Sequence, residues 1–331
     1  MALSASICRP ADLGFPELDQ WRRIQAATGM RDPFLSAEFA CCVGLAFREA
    51  RVAVIDDGAQ RIGFLAFMKG RFGAAHALAG YLANMQGFVA APGDWTIERV
   101  LRAAGIERFE FARWNAAQPL PGPHRRLDMP VIDLSDGFAA FLSAARARGG
   151  RLIKTMDQKR RSEERRDPDL RFEFCTEDLA VLDRLLAWKS QWLRRTGRDD
   201  VLADPRVREL IELTTAYRSP SFRGAVSCLR SGDRVLAVFC DLLGEGTLDG
   251  WWSAYDPDAG ARSPGSVGLL CNIEAATQHE ITSFHLGPGS APQKVKLANR
   301  AITVIDGRFE RTQRADVSSR LALALGGVQR G

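Results

Sequence analysis

Two stretches of the chain carry the same succession of apolar and polar positions. Residues 52–68 (VAVIDDGAQRIGFLAFM) and 225–241 (AVSCLRSGDRVLAVFCD), displaced by 173, each read as a short apolar strand, a polar turn with glycine, and a longer strand that opens on Arg61 or Arg234. That is the pattern of a β-hairpin. The echo extends both ways. Upstream, Trp21 and Thr28-Gly29 correspond to Trp188 and Thr196-Gly197, in both cases at the end of an amphipathic helix. Downstream, Pro92-Gly93 corresponds to Pro264-Gly265, ahead of helices bearing Ala103-Ala104 and Ala275-Ala276, and these give way to strands at 107–114 and 281–287. A hairpin with a glycine turn is common, but four matching features in one order at nearly one offset predict a tandem duplication. Each half then runs helix, hairpin, strand, turn, helix, strand. That order needs antiparallel pairing and a parallel crossover together, so the predicted fold class is α/β with mixed sheets. The halves are divided at 140/141, and about 115–165 reads as the connecting segment.

Composition narrows the function. The 331 residues are enough for two domains, and 46% apolar with 26% charged residues excludes wholesale disorder. No apolar stretch approaches the roughly 20 residues of a spanning helix. The first thirty residues lack a basic stretch followed by an apolar core, which predicts a cytoplasmic chain. Seven cysteines without a CxxC pair, four of them (Cys41, Cys42, Cys228 and Cys240) in apolar runs, predict reduced thiols and no metal site. The net charge of +5 is local: residues 146–171 hold ten basic and five acidic groups, and the rest of the chain is neutral. That segment reads either as a helix laced by its own ion pairs or as a contact for an anionic membrane face or phosphates. The surplus is small for a bulky RNA partner, so no nucleic acid is expected.

The richest chemistry lies in the second half. An aromatic strand, TLDGWWSAY (247–255), leads through a polar turn to Arg262-Ser263-Pro264-Gly265-Ser266-Val267-Gly268 and the helix LLCNIEAATQ. The first amides of such a helix have no partners within it and sit at its positive end, which suits a phosphate. Simple helix capping is the alternative reading. The loop is neither a Walker A motif nor a GxGxxG fingerprint. In the first half the equivalent turn, Ala91-Pro92-Gly93-Asp94-Trp95, carries Asp94, which would repel phosphate. A phosphate-bearing cofactor is therefore expected on the second half.

Arg-x-x-Gly-x-x-Gly between a strand and a helix resembles motif A of the GNAT acyltransferases. The wider set, Asp32-Pro33-Phe34-Leu35-Ser36, Tyr81 through Gln86-Gly87, Trp188-Lys189, Ser263-Pro264-Gly265 and Gly287-Pro288-Gly289 through Lys294, is similar to the CelD/BcsL-type branch. The resemblance implies two tandem GNAT-like domains. Residues 1–140 would be a half with a degenerate cofactor site that binds the acceptor, and 141–331 would bind acyl-CoA (acetyl-CoA or a longer chain) through Arg262, Pro264, Gly265, Ser266, Val267 and Gly268. It further implies an N-acyltransferase acting on an amine-bearing small molecule or lipid-linked acceptor of envelope, exopolysaccharide or sphingoid-base lipid synthesis. The location would be cytoplasmic, at the inner membrane face if 146–171 makes the contact.

Three positions depart from that family's pattern: Val267 where a small residue is usual, His285 where an aspartate is usual, and Gln293-Lys294 in place of Tyr-Lys. His285, an imidazole at a strand's C-terminal end, is the candidate base. Lys294 is the candidate partner of the oxyanion or of a CoA phosphate, and Tyr255 the candidate acid for the leaving thiolate. Asn84 and Gln86 are candidates for gripping an acceptor, and Trp252 for lining the cleft. Trp188 and Trp192, at helical spacing, read as core. Two other functions fit the same residues: a FemAB-like aminoacyl transferase, or a binding protein that kept the fold and lost the chemistry, for which the missing tyrosine speaks.

Overall fold

A computed structural model describes residues 2–311 apart from 59, 149 and 290. Its strands, in chain order, are β1 (Ser4–Cys8), β2 (Ala50–Asp56), β3 (Arg61–Lys69), β4 (Ala74–Ala77), β5 (Val89–Ala90), β6 (Arg108–Asn115) and β7 (His124–Asp133). They continue with β8 (Leu170–Glu173), β9 (Arg223–Ser231), β10 (Arg234–Gly244), β11 (Thr247–Tyr255), β12 (Ser283–His285) and β13 (Arg300–Glu310). All join one mixed sheet in the order β1-β2-β3-β4-β6-β13-β7-β12-β11-β10-β9-β8, with β5 on the flank of β3.

The sheet reads alike from either edge. The hairpins β2–β3 and β9–β10 lie second and third from opposite edges, their turns closed by Asp56 opposite Arg61 and Ser231 opposite Arg234. An antiparallel third strand follows each hairpin, β4 or β11. A parallel neighbour comes next, β6 or β12, reached through α3 (Ile97–Ala103) or α8 (Pro264–Gln278). This is the element order expected from the repeat, and α1 (Phe15–Thr28) and α6 (Leu179–Arg195) both end before a glycine at positive φ, Gly29 at 68° and Gly197 at 66°.

The middle of the sheet departs from the expectation. Residues 115–165 are not simply a connection: they contain β7, α4 (Gly137–Ala147) and α5 (Arg151–Arg166). Strand β7 pairs with β12 of the second half, while β13, from the end of the second half, pairs with both β7 and β6. Each half thus lends its last strand to the other. The local pattern hides β7 because its first half is polar and exposed, Pro130 interrupts its apolar run, and its partners lie far away in sequence.

Both faces of the sheet are covered, which explains the nearly continuous apolar runs in its strands. Val52 and Val54 face a core with α1, α2 (Ala37–Ala46), α6 and α7 (Pro205–Ala216), whereas Ala53 and Ile55 face α3. On the α3 side of the second half, α4, α5 and α8 cover Ile132, Leu243 and Phe284. The helices start where short polar side chains cap them: Ser36 accepts from Phe39, Asp178 from Ala180 and Asp204 from Arg206. Among the described residues, no helix is long and apolar enough to cross a membrane.

Candidate active site

Strands β11 and β12 run parallel only where residues 247–249 face 283–285. Strand β12 then ends, while β11 continues to Tyr255, and a bulge leaves Trp251 without a partner on β10. The strands therefore part at Gly250, and a cleft of about 880 Å³ opens there. Residues 250–255 of β11 form its floor; Pro264, Gly265, Ser266 and Asn272 reach it from α8, and Trp188, Lys189 and Trp192 from α6.

The first half has the same parallel pair, residues 74–76 of β4 against 108–110 of β6, but its opening is plugged. The Gln86 amide donates to the carbonyls of Leu78 (3.2 Å) and Gly80 (2.7 Å) and accepts from the Ala112 amide (3.0 Å). Gln86 is thus part of the wall, not a grip for an acceptor, because all its polar capacity goes to backbone. The N-terminus of α3 is closed as well, since the Thr96 hydroxyl accepts from Arg99.

The N-terminus of α8 is different. Its leading residue, Ser263, sits at φ 52° and makes no cap with its side chain; the hydroxyl instead accepts from Lys159 at 2.7 Å. Pro264, Gly265 and Ser266 line the cleft. Three neighbours do not. Val267 is fully buried beside Leu236 and Phe239. Gly268 serves packing: a Cβ there would come within 2.7 Å of Phe239, so only glycine lets α8 lie this close to β10. Arg262 spends its charge on Glu163 and Asp167, both at 2.6 Å, and so ties the loop to α5. Tyr255 lines the cleft against Gly265, where a Cβ would meet its ring at 3.3 Å. That position is five residues, roughly 17 Å, along β11 from Gly250, beside the N-terminus of α8 and away from the point where the strands part.

Alternation along β12 turns Phe284 into the cleft and His285 away from it. His285 is 4% exposed, with Nδ1 at 3.2 Å from Asp32 and 3.3 Å from Asp249, and Nε2 at 3.1 Å from the Ser283 hydroxyl. Burial disfavours its charge, but the hydrogen bonds and charges of Asp249 and Asp32 outweigh it and raise its pKa to about 9. Burial lifts Asp249 to about 6, against the pull of His285. The carboxylates thus favour the protonated imidazole. His285 does not line the cleft, so its placement does not support the role of base expected for it there. Asn84 belongs to the same cluster, donating to Asp249 at 2.6 Å and to the Gly250 carbonyl at 3.1 Å. Its amide is committed to buttressing the parted strands and not to an acceptor. The donor atoms of Asp32, Asp249 and His285 lie within 4.8 Å of one another, a spacing that a shared metal ion would also tolerate.

Lys294 and Trp252 fall in the cleft, as expected. The Lys294 ammonium sits 3.5 Å from the carbonyls of Gly287 and Pro288, and burial lowers its pKa, with Asp249 opposing and Arg113 assisting. Among the described residues, two buried polar atoms at the cleft find no hydrogen-bond partner: Trp252 Nε1 and Asn272 Oδ1. The Asn272 amide donates to Asp241 at 2.8 Å, and burial raises Asp241 to about 7 although that bond opposes it. Sequence reasoning missed Asp241, Asn272, Arg195 and Arg198 and assigned Trp188 and Trp192 to the core, whereas all six line the cleft. The available signal was helical spacing: Trp188, Trp192 and Arg195 stand at i, i+4 and i+7, one stripe on α6.

Residues 150–295, which contain this cleft, match the family model of the acetyltransferase (GNAT) domain. A search of curated proteins finds no match. Among solved structures, the chain resembles L-PGS from Bacillus licheniformis at 12% identity, with 93% of this chain and 96% of that one covered and a TM-score of 0.55. It resembles the C-terminal domain (DUF2156) of a protein assigned as a lysylphosphatidylglycerol synthetase from Agrobacterium fabrum at 16% identity, covering 95% and 99% with a TM-score of 0.51. FemX is similar at 8% identity, with 82% and 90% covered and a TM-score of 0.51. At such identities the likenesses speak for the fold. The family match falls on the half whose cleft is open and supports an acyltransferase, and the fold is mixed α/β.

Proposed function

We propose that the chain is an acyl-CoA-dependent N-acyltransferase of the CelD/BcsL kind, with the acyl donor and the acceptor meeting in the cleft of residues 141–331, which Asn84 of the first half buttresses. The observation behind this is the parting of β11 from β12 with an uncapped α8 N-terminus at one end of the gap and Lys294 at the other. The residues fit the donor: the helix end offers amides to a pyrophosphate, and the open gap takes an extended arm where the first half is plugged by Gln86. The acceptor amine attacks the thioester carbonyl, the C–N bond forms, the C–S bond breaks, and CoA leaves as the thiolate. Lys294 stabilises the oxyanion as its charge develops; the acceptor ammonium gives one proton to solvent before attack, and the second, shed by the nitrogen as the adduct collapses to the amide, goes to the departing thiolate or to solvent. Tyr255 flanks the phosphate end and does not serve the thiolate.

The acceptor is an amine of envelope, exopolysaccharide or lipid synthesis, a reading supported by the fold shared with L-PGS and FemX. An aminoacyl donor, as in a FemAB-like enzyme, is the second reading, and the FemX likeness favours it. Residues 146–171 remain a candidate membrane contact, although Arg146, Arg160 and Arg161 are already paired with acidic groups. Calorimetry with acetyl-CoA, followed by thiol release over a panel of amines, tests the proposal. Tight CoA binding and amine-dependent release support it; absence of CoA binding refutes it.

A further inference from the structure

The cleft carries a concentration of positive charge on its α6 side and at the neighbouring Lys294. Lys189, Arg195, Arg198 and Lys294 all line it, and none of them forms an ion pair among the described residues. Elsewhere on the chain arginines are paired, as Arg262 is with Glu163 and Asp167 and Arg230 with Glu173 and Asp178. The one carboxylate among the described lining residues, Asp241, is bonded to Asn272 on α8. The cations are also held in place: the Lys189 ammonium and the Arg198 guanidinium sit over the Trp192 ring at 4.7 and 4.9 Å, and Lys189 donates to the Ser253 carbonyl at 3.3 Å. Burial and the charges of Lys294 and Arg198 lower the Lys189 pKa, so the Lys189 ammonium is held at a cost that an anion beside it would relieve. The phosphates of a donor bound at α8 would lie beside Lys159 and Gly265, on the face of the sheet opposite α6.

Resting on the acyltransferase reading, we propose that the acceptor amine arrives on a phosphate-bearing molecule, whose phosphate docks against Lys189, Arg195 and Arg198 and presents the amine to Lys294 at the parting of β11 and β12. A phosphate monoester or diphosphate suits several neighbouring cations better than a single carboxylate does, since it brings about two negative charges and several acceptor oxygens. Trp188 and Trp252 give the same wall an aromatic surface for the body of the acceptor. The phosphate belongs either to a soluble molecule or to a lipid headgroup.

The test uses the full chain saturated with CoA, so that the α8 end is occupied. Inorganic pyrophosphate is titrated in by calorimetry, and vesicles of phosphatidylglycerol or of phosphatidylcholine are tested by co-sedimentation. The double variant Lys189→Met/Arg198→Met is compared with the wild type. Pyrophosphate binding weakened at least tenfold in the variant supports a soluble phosphorylated acceptor. Sedimentation with phosphatidylglycerol vesicles alone, lost in the variant, supports a lipid one. In either case CoA affinity should stay within about twofold of wild type. The inference is overturned if the CoA-loaded wild type binds neither probe, if the variant binds as well as wild type, or if CoA affinity falls together with anion affinity, since the cations would then serve the donor. A wild type that does not bind CoA refutes the acyltransferase reading and this inference with it; CoA binding without anion binding refutes this inference alone.

Discussion

Asn84 and Asp249, 165 residues apart in the chain, meet at 2.6 Å, amide on carboxylate. The same amide reaches the carbonyl of Gly250, the residue at which β11 leaves β12. A turn of the first half therefore holds open the cleft of the second. Removing it should leave the fully buried Asp249 one hydrogen bond short, at a cost of about 1–3 kcal/mol. Asn84→Ala is expected to lower the melting temperature and to weaken acetyl-CoA binding together. Lower stability with unchanged CoA affinity would mean that the first half does not shape the cleft.

The His285 cation should govern pH stability. Its folded pKa is raised from 6.5 to about 9, so its contribution is complete below pH 6.5 and is lost as pH rises through 9. The melting temperature should fall across that window, and His285→Ala, which leaves Asp32 and Asp249 facing each other, should remove the trend. Breaking such a buried pair costs about 3–5 kcal/mol, so His285→Gln serves as a milder second variant. The pH–rate profile should keep its acidic limb in both. Loss of that limb would restore His285 as a base.

At the α8 N-terminus, Gly265→Asp would place a carboxylate where a pyrophosphate is expected. Gly265→Ala is the control, since its Cβ asks the Tyr255 ring to give by only a few tenths of an ångström. We expect the aspartate to lower CoA affinity at least a hundredfold and the alanine to lower it only a few-fold, both with near-native melting temperatures. Equal affinities for the two variants would place the phosphates elsewhere.

The repeated half was legible because hairpins and their flanking helices are local: Arg61 and Arg234 open the strands that the apolar pattern assigned to them, and β11 spans the very residues read as an aromatic strand. Strand β7 was not legible, because exchange with β13 is decided by partners more than 150 residues away. The same limit explains His285. From the sequence it is an imidazole beside a glycine turn, and only the tertiary meeting with Asp32 and Asp249 makes it a buried cation. Val267 and Gly268 followed a motif spacing that, on a helix, turns these two positions from the cleft into the packing against Leu236 and Phe239. Gln86 was read as a grip because a lone polar amide after an apolar run does not reveal that its partners are backbone.

Lys294 carries the chemistry in this reading, and its charge decides the rate. Its ammonium lies near the parting strands, within 3.5 Å of the Gly287 carbonyl, and burial makes it lose its proton below the usual lysine range. If the cation steadies the oxyanion, Lys294→Met should lower kcat by about 10²–10³, the scale of losing one such donor, while acetyl-CoA affinity changes only a few-fold. In the wild type, kcat should fall on the alkaline side as the ammonium deprotonates. Lys294→Arg keeps its charge to higher pH, so it should recover part of the rate and move the alkaline limb upward. A purely structural lysine would lose stability on replacement without shifting that limb. A methionine variant with wild-type kcat would sink the assignment, and the oxyanion would then have to be held by backbone amides at the bulge of β11.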